Sequence, residues 1–141
     1  MPTVYSVASH VLSRFPSGLS SMKLQKLVFL TKGSYLAVKN VAIFPEEFVL
    51  WERGPVCLEL HEAYGGSGTY TVSSIKKAEP LLPEWAGIVD IVVDKYGALS
   101  GIDLKNLINE KISSWSDLNG SGYHLFEDEI VEAFSKFLKL A

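Results

Sequence analysis

Apolar residues recur at helical spacing in several stretches of the chain, and the first stretch lies close to the N-terminus. Thr3 suits the N-cap of this first helix, and Pro16 follows its predicted end. Residues at the spacing i, i+3, i+4, i+7 lie on one face of a helix. The residues with this spacing are Val4, Val7, Ala8, Val11, Leu12 and Phe15. The pattern therefore predicts a helix with one buried stripe.

A second helix is predicted from Ser20 or Ser21 to about Asn40. Its middle, residues 27–30, is apolar at every position, so no polar face is left to meet solvent there. We expect this helix to be surrounded by the other elements and to form the centre of the fold.

Short apolar runs after the central helix predict a small β element. Residues 41–44 and Phe48–Trp51 are separated by a polar segment that contains Pro45, which is typical of a strand pair or an extended passage. Residues 69–72 predict one more strand, and the glycine-rich residues 65–68 before them predict a turn.

Helical patterns return in the C-terminal half. A stripe from Trp85 to Val93 predicts one helix, and Ser100 with Asp103 forms a capping-box pattern that begins the next. The last helix has acidic residues in its first turn and an apolar face that comprises Phe126, Ile130, Ala133, Phe134, Phe137 and Leu138. The whole pattern predicts a mainly helical α+β fold in one domain, residues 1–141. It has five or six helices around a central buried helix and a two- or three-stranded β element.

Composition narrows the compartment and the partners. The single cysteine excludes an internal disulfide, and a reducing cytoplasm is the expected compartment. The N-terminus lacks the basic start and the uninterrupted apolar run of a secretory signal peptide, and no stretch reaches the ~18 apolar residues of a spanning helix. Because the net charge is −3 and the chain has no basic stripe, neither nucleic acid nor a membrane is an expected partner. A basic protein is the expected partner.

Two motifs, about two dozen residues apart, carry more information than the composition. Lys-Leu-Gln-Lys-Leu at residues 23–27 opens the central helix, and Trp-Glu-Arg-Gly-Pro-Val occupies residues 51–56. Gly54 and Pro55 predict a strand-to-helix corner, with Pro55 at the first helical position and no room for a Cβ at Gly54. Both motifs resemble those of the Panacea, or SocA-like antitoxin, domain, and the likeness covers roughly residues 20–135.

The resemblance implies a function in toxin neutralisation. Members of this family of prokaryotic and phage proteins are similar in binding and neutralising an unrelated toxin enzyme that is encoded beside them. Some relatives also act as adaptors that deliver a client to a AAA+ protease. The resemblance thus implies an antitoxin that acts by direct protein binding, with the protease adaptor as an alternative. Its partner would be a cognate toxin, expected to be a basic, nucleotide-acting or RNA-acting enzyme, and the adaptor would add a AAA+ protease.

Candidate chemistry in the chain is sparse, and the sequence predicts no catalytic, cofactor-binding or metal residues. Cys57 and His61 lie four residues apart on a predicted helix, a spacing that suits two metal ligands or a thiol with its base. A third ligand with suitable spacing is absent from the sequence, so Cys57 is interpreted as a small core residue. A small thiol-dependent enzyme remains the second alternative.

The two motifs also supply the candidate binding residues. Positive charge near a helix N-terminus opposes the helix dipole, so Lys23 and Lys26 call for an explanation other than helix stability. They either pair with carboxylates such as Glu52, lay their stems over the core, or belong to a partner surface. A further surface is the acidic start of the last helix, residues 127–132. The predicted toxin-binding residues are Lys23, Gln25, Lys26, Trp51, Arg53, Gly54 and Pro55.

Overall fold

The computed structural model describes residues 2–64, 68–75 and 78–140 of the 141-residue chain. Within these residues there are six α-helices and five short strands. The helices are α1 (Val4–Ser13), α2 (Ser21–Lys39), α3 (Leu58–Tyr64), α4 (Pro83–Tyr96), α5 (Gly101–Lys111) and α6 (Glu127–Leu140). The strands are β1 (Leu19–Ser20), β2 (Phe48–Trp51), β3 (Gly54–Cys57), β4 (Thr69–Tyr70) and β5 (Tyr123–Leu125). Two 3-10 turns, Val72–Ser74 and Ser113–Leu118, complete the described structure. The predicted mainly helical α+β fold is confirmed.

Helix α2 lies at the centre, as its apolar middle predicted. It contacts α1, α4, α5, α6 and β3, and residues 24–33 are all buried. The Ser20 side chain accepts a hydrogen bond from the Lys23 backbone N–H at 3.2 Å, which caps the helix N-terminus. Phe29 anchors the core through edge-to-face contacts with Phe48 and Phe134, with ring centroids 5.1 and 5.4 Å apart.

The helix caps predicted from the sequence are also confirmed. The Thr3 hydroxyl accepts a hydrogen bond from the Ser6 N–H at the start of α1. Ser100 and Asp103 form a reciprocal capping box at the start of α5. Local signals of this kind act over three residues, which is why the sequence alone identifies them.

The β element differs from its prediction. Residues 41–44 form no strand, and Ile43 and Phe44 instead insert into the core. The antiparallel partner of β2 is β3, the segment for which the sequence predicted the start of a helix. Trp51 pairs with Gly54 across a two-residue turn, and β5 adds to the other side of β2, giving the order β3-β2-β5. The strand predicted over residues 69–72 is shorter, because β4 ends at Tyr70; it pairs with β1. Of the turn predicted over residues 65–68, residues 65–67 lie outside the described structure.

Helix α6 packs closely against α2. A Cβ at Gly33 would overlap the Phe134 ring, so the missing side chain allows this ring to lie on the α2 backbone. Ile130 and Phe134 are buried as predicted, but Phe126 precedes the helix and is 65% exposed. The backbone N–H of Phe126 donates a hydrogen bond to a carboxylate oxygen of Glu129 at 3.0 Å. The side chains of Phe137 and Leu138 lie outside the described structure.

Candidate functional site

A cleft of about 520 Å³ opens between the N-terminal half of α2 and the β2-β3 hairpin. Helix α2 contributes Gln25 and Lys26 to its lining, the hairpin contributes Trp51 and Arg53, and α3 contributes His61. Four of the seven predicted binding residues therefore line one cleft, although the two motifs that carry them are separated along the chain.

Gln25 attaches the hairpin to the central helix. Its side chain is 3% exposed, and its amide donates to the Cys57 carbonyl oxygen at 3.1 Å and accepts from the Cys57 N–H at 2.9 Å. These two bonds are those that a neighbouring strand would form with the outer edge of β3. Gln25 therefore satisfies backbone groups that would otherwise be buried without partners.

Lys26, one residue further along α2, forms a hydrogen bond with the same edge of β3. Its side chain is 1% exposed, and Nζ donates to the Pro55 carbonyl oxygen at 3.0 Å. Burial, together with the nearby charges of Lys105 and Arg53, lowers the pKa of Lys26 to about 7. The predicted pairing of Lys26 with Glu52 is wrong, because its ammonium group meets a backbone carbonyl instead.

Gly54 and Pro55 have different roles from those predicted. Gly54 adopts φ +98, a conformation that L side chains rarely adopt, and so permits the turn into β3. A Cβ there would lie 3.5 Å from Nζ of Lys26, an ordinary contact, so lack of room is not the reason for the glycine. Pro55 lies in β3 opposite Leu50 rather than at the start of a helix. Its carbonyl oxygen points towards α2, and a proline fits where no N–H is needed for pairing with β2.

The other predicted binding residues reach the surface. Trp51 is half-buried and contacts the His61 ring edge-on, with centroids 4.8 Å apart, and Arg53 is exposed in the hairpin turn. Lys23 is half-buried outside the cleft lining: its Nζ donates to the Gly97 carbonyl oxygen at 2.7 Å and lies 4.9 Å from the centre of the Phe15 ring. The structure thus makes Lys23, Trp51 and Arg53 accessible to a partner, while Gln25, Lys26, Gly54 and Pro55 hold the hairpin from within.

Sequence reasoning missed other parts of the cleft wall. Met22 and Val56 add apolar surface, and Gly120 approaches from the loop before β5. That loop is held in place by the Gly122 N–H, which donates to the Leu50 carbonyl oxygen at 3.0 Å. This hydrogen bond joins residues some seventy positions apart, and no local sequence pattern predicts it.

The remaining candidate groups have structural partners. Cys57 is the last residue of β3, is fully buried and has its pKa raised to about 12, chiefly by burial, whereas His61 lies on α3. No group of three potential metal-ligating side chains occurs in the described parts of the chain. At the acidic start of α6, Glu129 accepts hydrogen bonds from the Tyr123 hydroxyl and the Phe126 N–H.

Among residues 2–64, 68–75 and 78–140, no helix is both long and apolar enough to cross a bilayer.

Comparison with known proteins agrees with the two motifs. Searches of the curated proteins and of the solved structures each gave no match. The family described as "Antitoxin SocA-like, Panacea domain" matches residues 24–116, which is 93 of the 141 residues. The matched range includes most of α2, the hairpin and α5, and therefore most of the cleft. The chain belongs to the SocA-like antitoxin family and carries its Panacea domain.

Proposed function

We propose that this protein is an antitoxin that binds a co-encoded toxin directly and masks the toxin's active site or substrate surface. The observation that carries the proposal is the cleft beside the β2-β3 hairpin, which exposes Arg53 and part of Trp51 on a rigid support. Tryptophan and arginine concentrate binding energy at protein interfaces. Family membership supports a toxin as the partner.

Rigidity of the hairpin favours binding. Gln25 and Lys26 fix the backbone of β3 from the central helix, so little conformational freedom is lost when a partner contacts the turn. A stable complex of this type buries on the order of 1,600 Å², an area larger than the cleft, so we expect the surrounding hairpin and α3 to take part. The proposed toxin-binding role is direct for Lys23, Trp51 and Arg53, whereas Gln25, Gly54 and Pro55 act by holding the hairpin. Lys26 holds the hairpin and also lines the cleft.

The arrangement of polar groups favours a binding protein over an enzyme. A thiol nucleophile needs a lowered pKa and access to substrate, whereas Cys57 is buried with a raised pKa. The proposed function therefore uses no cofactor, metal, nucleic acid or membrane, and places the protein in the cytoplasm with its toxin. A net charge of −3 suits a basic toxin, such as an enzyme that acts on nucleotides or RNA.

The test is co-expression with the product of the neighbouring gene, measured by growth rescue and co-purification. The wild-type protein should restore growth and purify with the toxin, and Arg53→Glu and Trp51→Ala should weaken both. Lys39→Glu is the matched control, because Lys39 is exposed about 20 Å along α2 from Lys26. A toxic neighbour that is neither bound nor rescued by the wild type would contradict the proposal.

The half-life of the toxin separates masking from delivery to a AAA+ protease. Masking leaves the toxin intact in a complex, so its half-life should be the same in cells with and without the protease. A toxin that disappears only when the protease is present would replace masking by the adaptor mechanism.

A further inference from the structure

The cleft concentrates positive charge in a protein that is acidic overall. Lys26 and Arg53 line it, and Lys105 on α5 lies close enough for its charge to affect Lys26. Among the residues that the structure describes, Glu52 is the one carboxylate in the lining, and it is exposed in the hairpin turn. Within the described part of the chain, none of the ion pairs involves these three cations.

Lys26 is the central member of this cationic group. It is almost fully buried, and among the described residues it makes one hydrogen bond, to Pro55, although an ammonium group can donate three. Burying a cation without a counter-charge costs free energy, and this cost lowers the pKa of Lys26 to about 7. An anion in the cleft would provide both the missing acceptor and the missing charge.

The rest of the lining is apolar on one side. Met22, Val56 and the half-buried ring of Trp51 face the same space as Lys26 and Arg53. A site with an apolar wall beside paired cations suits a peptide with an acidic and an apolar side chain next to each other. A free inorganic anion would leave that wall uncovered.

We propose that the cleft receives an Asp or Glu side chain from a segment of the protein partner, with its carboxylate bound between Lys26 and Arg53. An apolar neighbour on that segment packs on Met22, Trp51 and Val56. The inference rests on the proposed function in taking the toxin as the source of this segment. It also revises the expected charge complementarity: the toxin can be basic as a whole, but the segment that enters the cleft is acidic.

A peptide titration followed by amide NMR shifts tests this inference without the toxin. The probes are acetyl-Ala-Glu-Leu-amide and its isosteric partner acetyl-Ala-Gln-Leu-amide. The glutamate peptide should shift the amides around Gln25, Lys26 and Arg53, and should bind at least about tenfold more tightly than the glutamine peptide. Arg53→Gln should reduce that preference, and Lys39→Gln should leave it unchanged. Because Arg53 is exposed, its variant reports on binding even if Lys26→Met fails to fold.

Three results would overturn the inference: equal binding of the two peptides, shifts that map away from the cleft, or binding of inorganic phosphate in place of the glutamate peptide. Its failure is distinct from that of the proposed function. A toxin that is bound and neutralised while the cleft shows no preference for glutamate leaves the antitoxin proposal intact. A glutamate preference without any bound toxin supports the cleft site and contradicts the antitoxin proposal.

Discussion

The side-chain amide of Gln25 forms both of its hydrogen bonds with the backbone of a single residue, Cys57, which lies 32 positions further along the chain. With the bond from Lys26 to Pro55, this contact explains why the two sequence motifs occur together. The first motif supplies polar side chains that satisfy the backbone of the second. Together they form one structural unit, and the hairpin that borders the cleft depends on it.

Replacement of Gln25 by methionine should destabilise the fold. Gln25→Met keeps the buried volume but removes the partners of the Cys57 N–H and carbonyl groups, at a cost of about 2 kcal/mol or more. The free energy of unfolding from urea titration measures this loss. Asn106→Met is the control, since Asn106 is exposed on α5 and its replacement should change the stability little. Equal stabilities of the two variants would refute the role of Gln25.

Gly54→Ala should destabilise through the backbone rather than through crowding. At φ +98 an alanine is strained, with an expected cost of about 1–3 kcal/mol. Gly87→Ala provides the contrast, because Gly87 is exposed inside α4 with open space around it. That change should be neutral or stabilise by up to about 1 kcal/mol. Thermal unfolding of the pair decides the matter, and a neutral Gly54→Ala would show that the turn relaxes.

Gly33→Ala should lower stability although alanine favours helices. The added methyl group would overlap the Phe134 ring and push α6 away from α2. Overpacking of this kind costs about 1–3 kcal/mol, more than the helical preference returns. Unfolding midpoints measured beside Gly87→Ala test the prediction. A stabilised Gly33→Ala variant would mean that α6 moves freely on α2.

The buried amine of Lys26 should make stability rise with pH just above neutrality. Its pKa is about 7 in the folded protein and near 10.5 when exposed, so the unfolded chain binds more protons between these values. Stability therefore increases as the pH rises from 7 to 9, by at most about 1.4 kcal/mol per pH unit from this group. Above pH 9, the raised pKa of Cys57 acts in the opposite direction, because the unfolded thiol ionises first.

Two variants identify the source of that slope. Lys26→Met should flatten the dependence of the unfolding free energy on pH between 7 and 9, whatever its effect on absolute stability. Lys39→Met removes an exposed lysine from the same helix and should retain the wild-type slope. An unchanged slope in Lys26→Met would assign the effect to another group, such as Lys32, whose pKa burial also lowers.

Cys57 should be unreactive in the native protein. Its side chain is fully buried and burial raises its pKa, so little thiolate is present and reagents cannot reach it. Labelling with Ellman's reagent should be slow in buffer and fast in urea. Cys57→Ala should retain toxin neutralisation. Rapid native labelling together with loss of function on substitution would restore the alternative of a thiol-dependent enzyme.

The sequence predicted the elements whose signals are local. The stripe of α1, the caps at Thr3 and Ser100 and the apolar middle of α2 all depend on residues within a few positions of one another. Strand β3 was wrongly predicted as helical because glycine followed by proline commonly precedes a helix. Its strand conformation depends instead on pairing with β2 and on side chains from α2, which local patterns do not report.

The candidate site shows the same division. Its residue types were identified from the two motifs, but their burial was not, since Lys and Gln are usually exposed. Lys26 is buried because the carbonyl oxygen of Pro55 provides a partner inside the fold. Gly120 reaches the cleft only through a loop held to β2. The three-dimensional structure was therefore needed to show which motif residues are accessible.

The contacts that α2 makes with β3 also bear on self-association. An open sheet edge presents donors and acceptors to strands of other molecules, and such edges promote aggregation. Here Gln25 and Lys26 already occupy the outward backbone groups of Cys57 and Pro55. One edge of the three-stranded sheet is thus protected against intermolecular β-pairing.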